Sequence, residues 1–298
     1  MITLIPVEGI GEISPGDEIA DLLLAHAELA DFDVLVITQK AVSKAEGRLV
    51  PVAASPNTGQ DERDSSAQDA GHDAGHGAGH DESAGDDESA GHDAGHDESA
   101  GHDESAGAPH GECPDQSATA QFDDVPDRRT IVLSESARVL RERGELIISE
   151  THHGFICANA GVDLSNVAEG WASLLPVDPD RSARYIRDAL RARGGVEVGV
   201  IVSDTFGRPW RHGLTDVAIG CAGIAAVVDL RGTADAGGRP LAATEVCVAD
   251  ELSGAAELAK GKASGIPAVI VRGVDRGWFR ESSVRGEVVR PHSLDLFR

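Results

Sequence analysis

Lysine is almost missing from this sequence. Four of its 298 residues are lysine, against 51 Asp and Glu, and the formal net charge is −25. So acidic a chain repels phosphate backbones, which excludes nucleic acid as a partner. Aromatic residues are also scarce: six Phe, three Trp and one Tyr. No apolar run approaches the ~18 residues that a membrane span needs. The opening MITLIPVEGI has neither a basic start nor a sustained apolar stretch, so no secretory signal is read there. The expectation is a soluble, cytoplasmic protein without membrane contact. Four cysteines, Cys113, Cys157, Cys221 and Cys247, form no CxxC pair. The last three lie in apolar segments and read as reduced core residues.

Residues 61–124 contain no Leu, Ile or Val, and they repeat GHDAGH and DESAG units. Such a segment cannot bury enough apolar surface to offset chain entropy, so an acidic, His-rich disordered insert is expected over 55–124. Setting aside residues 61–124 reduces the acids to 32 and the bases to 25, a net charge of −7. The expected organisation is a catalytic domain in two pieces, 1–54 and 125–275, followed by a tail at 276–298. An acidic surface with little lysine suits multimolar salt, where screening acts within ~3 Å; an acidic mesophilic protein is the plainer alternative. Seven of the twelve histidines lie in the insert. They read as a solvated tract, with loose buffering of Zn²⁺, Ni²⁺ or Cu²⁺ as the alternative.

Apolar patterning gives the remaining elements. ITLIPV (2–7), DVLVIT (33–38), ELIISE, GFICAN, VEVGVIV, GIAAVVDL and PAVIVRG read as strands. Helices are expected over 17–30, from a Ser134 cap to Arg143 with Gly144 as the stop, over DPDRSARYIRDALRARGG, and over 248–260. In the third, Asp180 or Ser182 would be the cap, and Gly194 and Gly195 end the helix. Interleaved strands and helices imply an α/β or mixed α+β class.

No Walker A loop is present, and GIGEIS at 9–14 is only a partial GxGxxG. Three apolar strands stop instead at oxygen-bearing residues. These are ICANAGVDLSN with Asn159, Asp163, Ser165 and Asn166, VIVSDTFGRPWRHG with Ser203, Asp204 and Thr205, and EVCVADE with Glu245, Asp250 and Glu251. Carboxylate and hydroxyl oxygens suit Mg²⁺ or Mn²⁺ with phosphate completing the shell; turn or cap roles are the plainer alternative. Arg208, Arg211 and His212 follow Asp204 closely. On chemical grounds Arg208 and Arg211 are assigned to substrate or transition-state charge. Trp210 between them reads equally well as a packing anchor. If lysine is avoided on the surface, Lys40, Lys44, Lys260 and Lys262 are expected to do what arginine cannot, such as placing a compact ammonium on phosphate.

Taken together, PVEGI, ITQKAVSKAEGR, ICANAGVDLSNV, SDTFGRPWRHGLTDVAIG, EVCVADEL and GIPAVIVRG resemble the coenzyme F420-0:L-glutamate ligase family. The resemblance covers residues 1–50 and 130–275; the insert departs from it. It implies mixed sheets with flanking helices in an intertwined homodimer. It also implies a GTP-dependent ligase that adds L-glutamate to coenzyme F420-0 through an acyl phosphate, giving F420-1, with γ-linked extension to F420-2 in some members. GTP, a pair of Mg²⁺ or Mn²⁺ ions, and K⁺ are the implied co-substrate and cations. Position by position, Asp163, Asp204 and Thr205 match the metal ligands, and Asn166 and Lys44 match nucleotide contacts. The loop Ile10, Gly11, Glu12 and Ile13, and the pair Gln39 and Lys40, fall where the family binds GTP. So do Leu258, Ala259, Lys260, Gly261, Lys262, Ala263 and Ser264, with Lys262 where some relatives carry an acid. Two rival readings stand beside this one: a GTP-dependent kinase or amide ligase for another acid, and a His-rich metal-buffering protein.

Overall fold

Val34, Leu35, Val36 and Ile37 are consecutive and each is almost wholly buried. A strand buried on alternate residues has one covered face; one buried at every residue has two. This strand lies at the centre of a five-stranded sheet in the computed structural model, which describes residues 1–53 and 125–297. The expectation of an insert at 55–124 lies outside the described residues. The described residues fall within one unit of the chain, 1–55 together with 124–298.

In chain order the elements are β1 (Thr3–Pro6), α1 (Ile19–His26), β2 (Val34–Thr38), α2 (Gln39–Ala45), β3 (Leu49–Pro51), α3 (Arg128–Ser134), β4 (Ser136–Arg143), β5 (Leu146–Thr151) and β6 (Ile156–Ala158). Then come β7 (Trp171–Ser173), α4 (Pro179–Gly194), β8 (Gly199–Arg208), β9 (Arg211–Ala222), β10 (Val228–Asp229), β11 (Glu245–Val246), α5 (Val248–Lys260), β12 (Ala268–Arg272) and α6 (Val284–Glu287). The main sheet runs β1-β12-β2-β8-β9. β2 and β8 are parallel, and their neighbours are antiparallel. A smaller layer pairs β4-β5-β6 and β3-β7 around Ile131, Ile147, Val162, Ala172 and Leu174. The mixed α/β class expected from the sequence is the one found.

Helix α4 lies against β9 because Gly220 has no side chain: a Cβ there would sit 2.3 Å from the Pro179 carbonyl carbon. Asp178, not Asp180 or Ser182, caps this helix, accepting from Arg181 N–H at 2.9 Å. Asp180 is buried instead and accepts from the backbone N–H groups of Cys221, Val284 and Arg285 at 2.9, 2.8 and 3.1 Å. One carboxylate thus ties α4, β9 and α6 together, and wholly buried Val284 joins the main core.

Several expected elements change, the helix expected over 17–30 shortening to Ile19–His26 among them. Ser134 ends a helix rather than starting one: α3 is capped by Asp127, and residues 136–143 form β4. Gly144, at φ 56°, turns the β4–β5 hairpin. Cross-strand pairs such as Arg138–Glu150 at 2.7 Å replace the i,i+4 contacts a helix would have made. Similarly, β8 does not stop at Asp204. Only its burial stops; the strand continues to Arg208 and returns as β9 through Pro209 and Trp210. The GIAAVVDL strand shortens to the two residues of β10. No helix among the described residues is long and apolar enough to cross a membrane.

Candidate active site

The parallel register pairs Thr38 with Ser203, so β2 and β8 deliver their ends to the same edge of the sheet. From that edge α2 starts with Lys40 and Lys44, four residues apart and so on one face, while β8 supplies Asp204 and Thr205. β9 returns with Asp216 opposite Thr205. The loop after α5 brings Lys262 in before β12 begins. Together with the 158–168 segment of the smaller layer, these elements line a cleft of about 1230 Å³.

Each cleft lysine has a carboxylate partner. Lys40 pairs with Asp163 at 2.8 Å and donates to Ser165 Oγ at 2.6 Å. Lys44 pairs with Glu12 at 2.5 Å. Lys262 pairs with Glu257 at 2.7 Å and Asp216 at 3.0 Å, and also donates to the Thr205 hydroxyl. Lys260 has no exposed side-chain surface; it donates to Asp216 Oδ2 and Ser203 Oγ, both at 2.8 Å. Burial opposes ionisation of Asp216, but the charge and hydrogen bond of Lys260, with further bonds from Thr205 and Lys262, hold its carboxyl well below the usual range. Asp163 is only partly covered; burial raises its carboxyl, but hydrogen bonds from Lys40 and Ser165 outweigh that and lower it. Asp204 differs. It keeps some accessible surface but is packed closely by protein atoms, and burial pushes it up to about 7. The Thr205 N–H opposes the shift, and the Asp163 and Asp216 charges add to it.

Of the residues expected from sequence, Gly11, Glu12, Ile13, Gln39, Lys40, Lys44, Asp163, Asn166, Asp204, Thr205, Gly261, Lys262 and Ala263 line this one cleft. Gln39 is buried, and its amide is committed to Ser43 Oγ and the Leu174 carbonyl at 2.6 and 2.8 Å, fastening α2 to the smaller layer. The structure does not bring Ile10, Leu258, Ala259, Lys260 or Ser264 to the cleft surface. Leu258 points outward at 87% exposure, and Lys260 lies beneath the cleft floor. Arg208 and Arg211 sit on the exposed far part of the β8–β9 hairpin, outside the cleft lining; Arg208 donates to the His212 carbonyl at 2.9 Å. Trp210 occupies the hairpin turn at φ 58°, its ring 5.3 Å from that of Phe297. Asp250 is a backbone acceptor for Ala218 N–H at 2.9 Å and, with Glu245 and Glu251, lies outside the cleft lining.

Sequence reasoning missed Arg128, Asp216 and Glu257, which all line the cleft. A lone acid inside the apolar strand LTDVAIG was the available signal for Asp216. Nothing local marked Arg128.

Among the described residues no three His, Cys, Asp or Glu side chains converge into a self-sufficient metal cage. The donor set nonetheless fits a hard divalent ion completed by phosphate: Asp204 has no ion-pair partner among the described residues, and it shares the cleft with the carboxylates of Asp163 and Asp216. Thr205 fits less simply, since its hydroxyl is bonded to Asp216 at 2.7 Å and to Lys262.

Such a cleft, with ammonium groups and carboxylates at a sheet edge and backbone loops around them, has the charged groups of an enzyme site suited to anionic ligands. Comparison with known proteins narrows this. The profile of the family F420-0:Gamma-glutamyl ligase matches residues 9–273. "Coenzyme F420:L-glutamate ligase" of Methanothermobacter thermautotrophicus is 36% identical over 303 aligned positions, covering 100% of this chain and 99% of that protein. The proteins of the same name from Methanopyrus kandleri and Haloarcula marismortui are each 36% identical, covering 98% and 91% of this chain. The chain belongs to the F420-0:gamma-glutamyl ligase family and is a ligase.

Proposed function

We propose that this chain joins the amine of L-glutamate to the terminal carboxylate of coenzyme F420-0 at the expense of GTP, giving F420-1, with a γ-linked second glutamate giving F420-2. The carrying observation is the cleft itself, where Lys40, Lys44 and Lys262 stand beside Asp163 and Asp204. Phosphoryl transfer depends on positioning and charge rather than on a protein nucleophile. The nearby Cys157 supports this, since burial foremost, with the Asp204 charge, pushes its thiol up to about 12; it is not a thiolate near neutrality.

The sequence of steps balances without a covalent enzyme adduct. The F420-0 carboxylate oxygen attacks the γ-phosphorus, and GDP leaves. The glutamate amine then attacks the acyl carbon, phosphate departs with the former carboxylate oxygen, and the amine loses a proton. In this reading Lys44 and Lys40 hold phosphate oxygens as point charges, exchanging Glu12 and Asp163 for the nucleotide. Asp163 and Asp204, with the Thr205 oxygen, would hold Mg²⁺ or Mn²⁺. When bound, the ions would neutralise phosphate charge in the manner of a Lewis acid. K⁺ as a further cation and a homodimer belong to the same reading.

The test is purified full-length protein in multimolar KCl with GTP, Mg²⁺ or Mn²⁺, F420-0 and L-glutamate. Mass spectrometry should find the glutamyl-extended product with one GDP for each amide bond. GDP formed without glutamate addition would support a kinase instead, and no product under any salt or metal condition refutes the assignment.

A further inference from the structure

Among the described residues, Arg128 is a cation of the cleft without a carboxylate partner. Every lysine lining it is already paired with a carboxylate. The Arg128 guanidinium lines the same cleft, yet forms no hydrogen bond or ion pair among the described residues. Its Nε is withdrawn from water and has no acceptor. An N–H group in that condition carries a desolvation penalty that an incoming acceptor relieves. A guanidinium fork offers two parallel donors, which match a carboxylate or phosphodiester better than an ammonium can.

The surroundings favour a preset site. Arg128 begins α3, which packs on the Asn159–Gly161 turn of the smaller layer. In the cleft wall Asn159 and Asn166 hold φ values of 50° and 55°, which asparagine tolerates, and the buried Ala160 between Asn159 and Gly161 holds 52°. An alanine in that conformation is strained and persists only where the surroundings over-determine it. Gly161 is fixed too, since a Cβ there would lie 2.7 Å from Leu175 Cγ. The lysines, by contrast, are carried by elements of the main sheet and its helices.

Resting on the ligase reading above, we infer that Arg128 binds a paired-oxygen anion of one of the two acid substrates. That anion is either a glutamate carboxylate or the phosphodiester or carboxylate of F420-0. Arg128 thereby selects the acid rather than the nucleotide.

Calorimetry in multimolar KCl, with GDP and Mg²⁺ present, tests this on the full chain without relying on turnover. L-Glutamate and F420-0 are titrated separately into wild type, Arg128→Gln and Arg128→Lys. Loss of a charge-assisted fork should weaken one of the two acids by about tenfold or more, and which acid weakens identifies the source of the anion. Arg128→Lys should recover part of the loss, because it keeps the charge without the fork. Should Arg128→Gln not fold, Arg128→Lys still reports the missing fork. GDP affinity and the melting temperature should stay at wild-type values, which a purely structural role would not allow. Unchanged affinity for both acids, or an equal fall in GDP affinity, overturns the inference while the ligase reading stands. If neither acid binds the wild type, both fall.

Discussion

Replacing Lys260 by methionine should cost far more than the same change at Lys262, although both lysines bond the same carboxylate. Lys260 has no exposed side-chain surface, and Asp216 retains 3%. Methionine fills much the same volume, so little cavity energy enters and the lost charge dominates. Breaking a buried pair from one side costs roughly 3–5 kcal/mol, because the remaining charge is left uncompensated. Here Lys262 still reaches Asp216 Oδ1 at 3.0 Å, which places the expectation at the lower end, about 3 kcal/mol. In a domain of this size that is a fall of roughly 6–12 °C in Tm. Lys262 is 59% exposed, and Lys262→Met should cost about 0–1 kcal/mol. Chemical denaturation at fixed KCl measures both. A pH series adds a sign. Asp216 ionises more readily folded than unfolded, so its contribution is present above the unfolded carboxylate range and is lost as pH falls through that range and below. Lys260→Met should flatten that acid limb. Equal costs for the two variants, or less than about 1 kcal/mol for Lys260→Met, would show that the buried ion pair does not hold this edge of the sheet together.

The same geometry fixes three further outcomes. Asp204, pushed up to about 7, holds extra protons in the folded chain at pH 5–7, so stability falls as pH rises through that window. Asp204→Asn should therefore raise Tm at pH 8 while abolishing turnover, and melting curves at pH 5 and 8 with an activity assay check both halves. Gly220→Ala should destabilise by about 3 kcal/mol or prevent folding, because its Cβ meets Pro179 backbone at 2.3 Å; denaturation or soluble yield reads it. Ala53 N–H is bonded to the Pro126 carbonyl at 3.0 Å, so the chain leaves and re-enters at adjacent points. Replacing residues 61–124 with a short Gly-Ser linker should leave ligation turnover within about twofold; a loss of turnover would favour a role for the histidine tract.

The elements legible in the sequence were those whose signal is local. β2 and β12 announce themselves as unbroken apolar runs, and α4 as a capped helix with a glycine end. α5 was placed at its observed boundaries. β4 was misread because its arginines face water on both hairpin edges, leaving no apolar alternation to contradict a helix. The continuation of β8 to Arg208 is hidden for a similar reason, since only Phe206 still packs against the core while Gly207 and Arg208 are exposed, and the pattern that marks a strand is lost. For the site, Lys40, Lys44, Asp163 and Asp204 could be named from strand ends and from the rarity of lysine. Arg128 and Glu257 could not, because only tertiary packing carries them to the cleft from α3 and α5. Arg208 and Arg211 drew attention because they are adjacent to Asp204 in sequence. The antiparallel hairpin carries them away from it along the strand.

The proposed route, in which the F420-0 carboxylate is phosphorylated before the amine attacks, would leave an atom-level record. F420-0 prepared with heavy oxygen in its terminal carboxylate should transfer one labelled oxygen to the inorganic phosphate released with each F420-1 formed. Phosphate carrying no label, with both labelled oxygens accounted for elsewhere, would rule out the acyl phosphate.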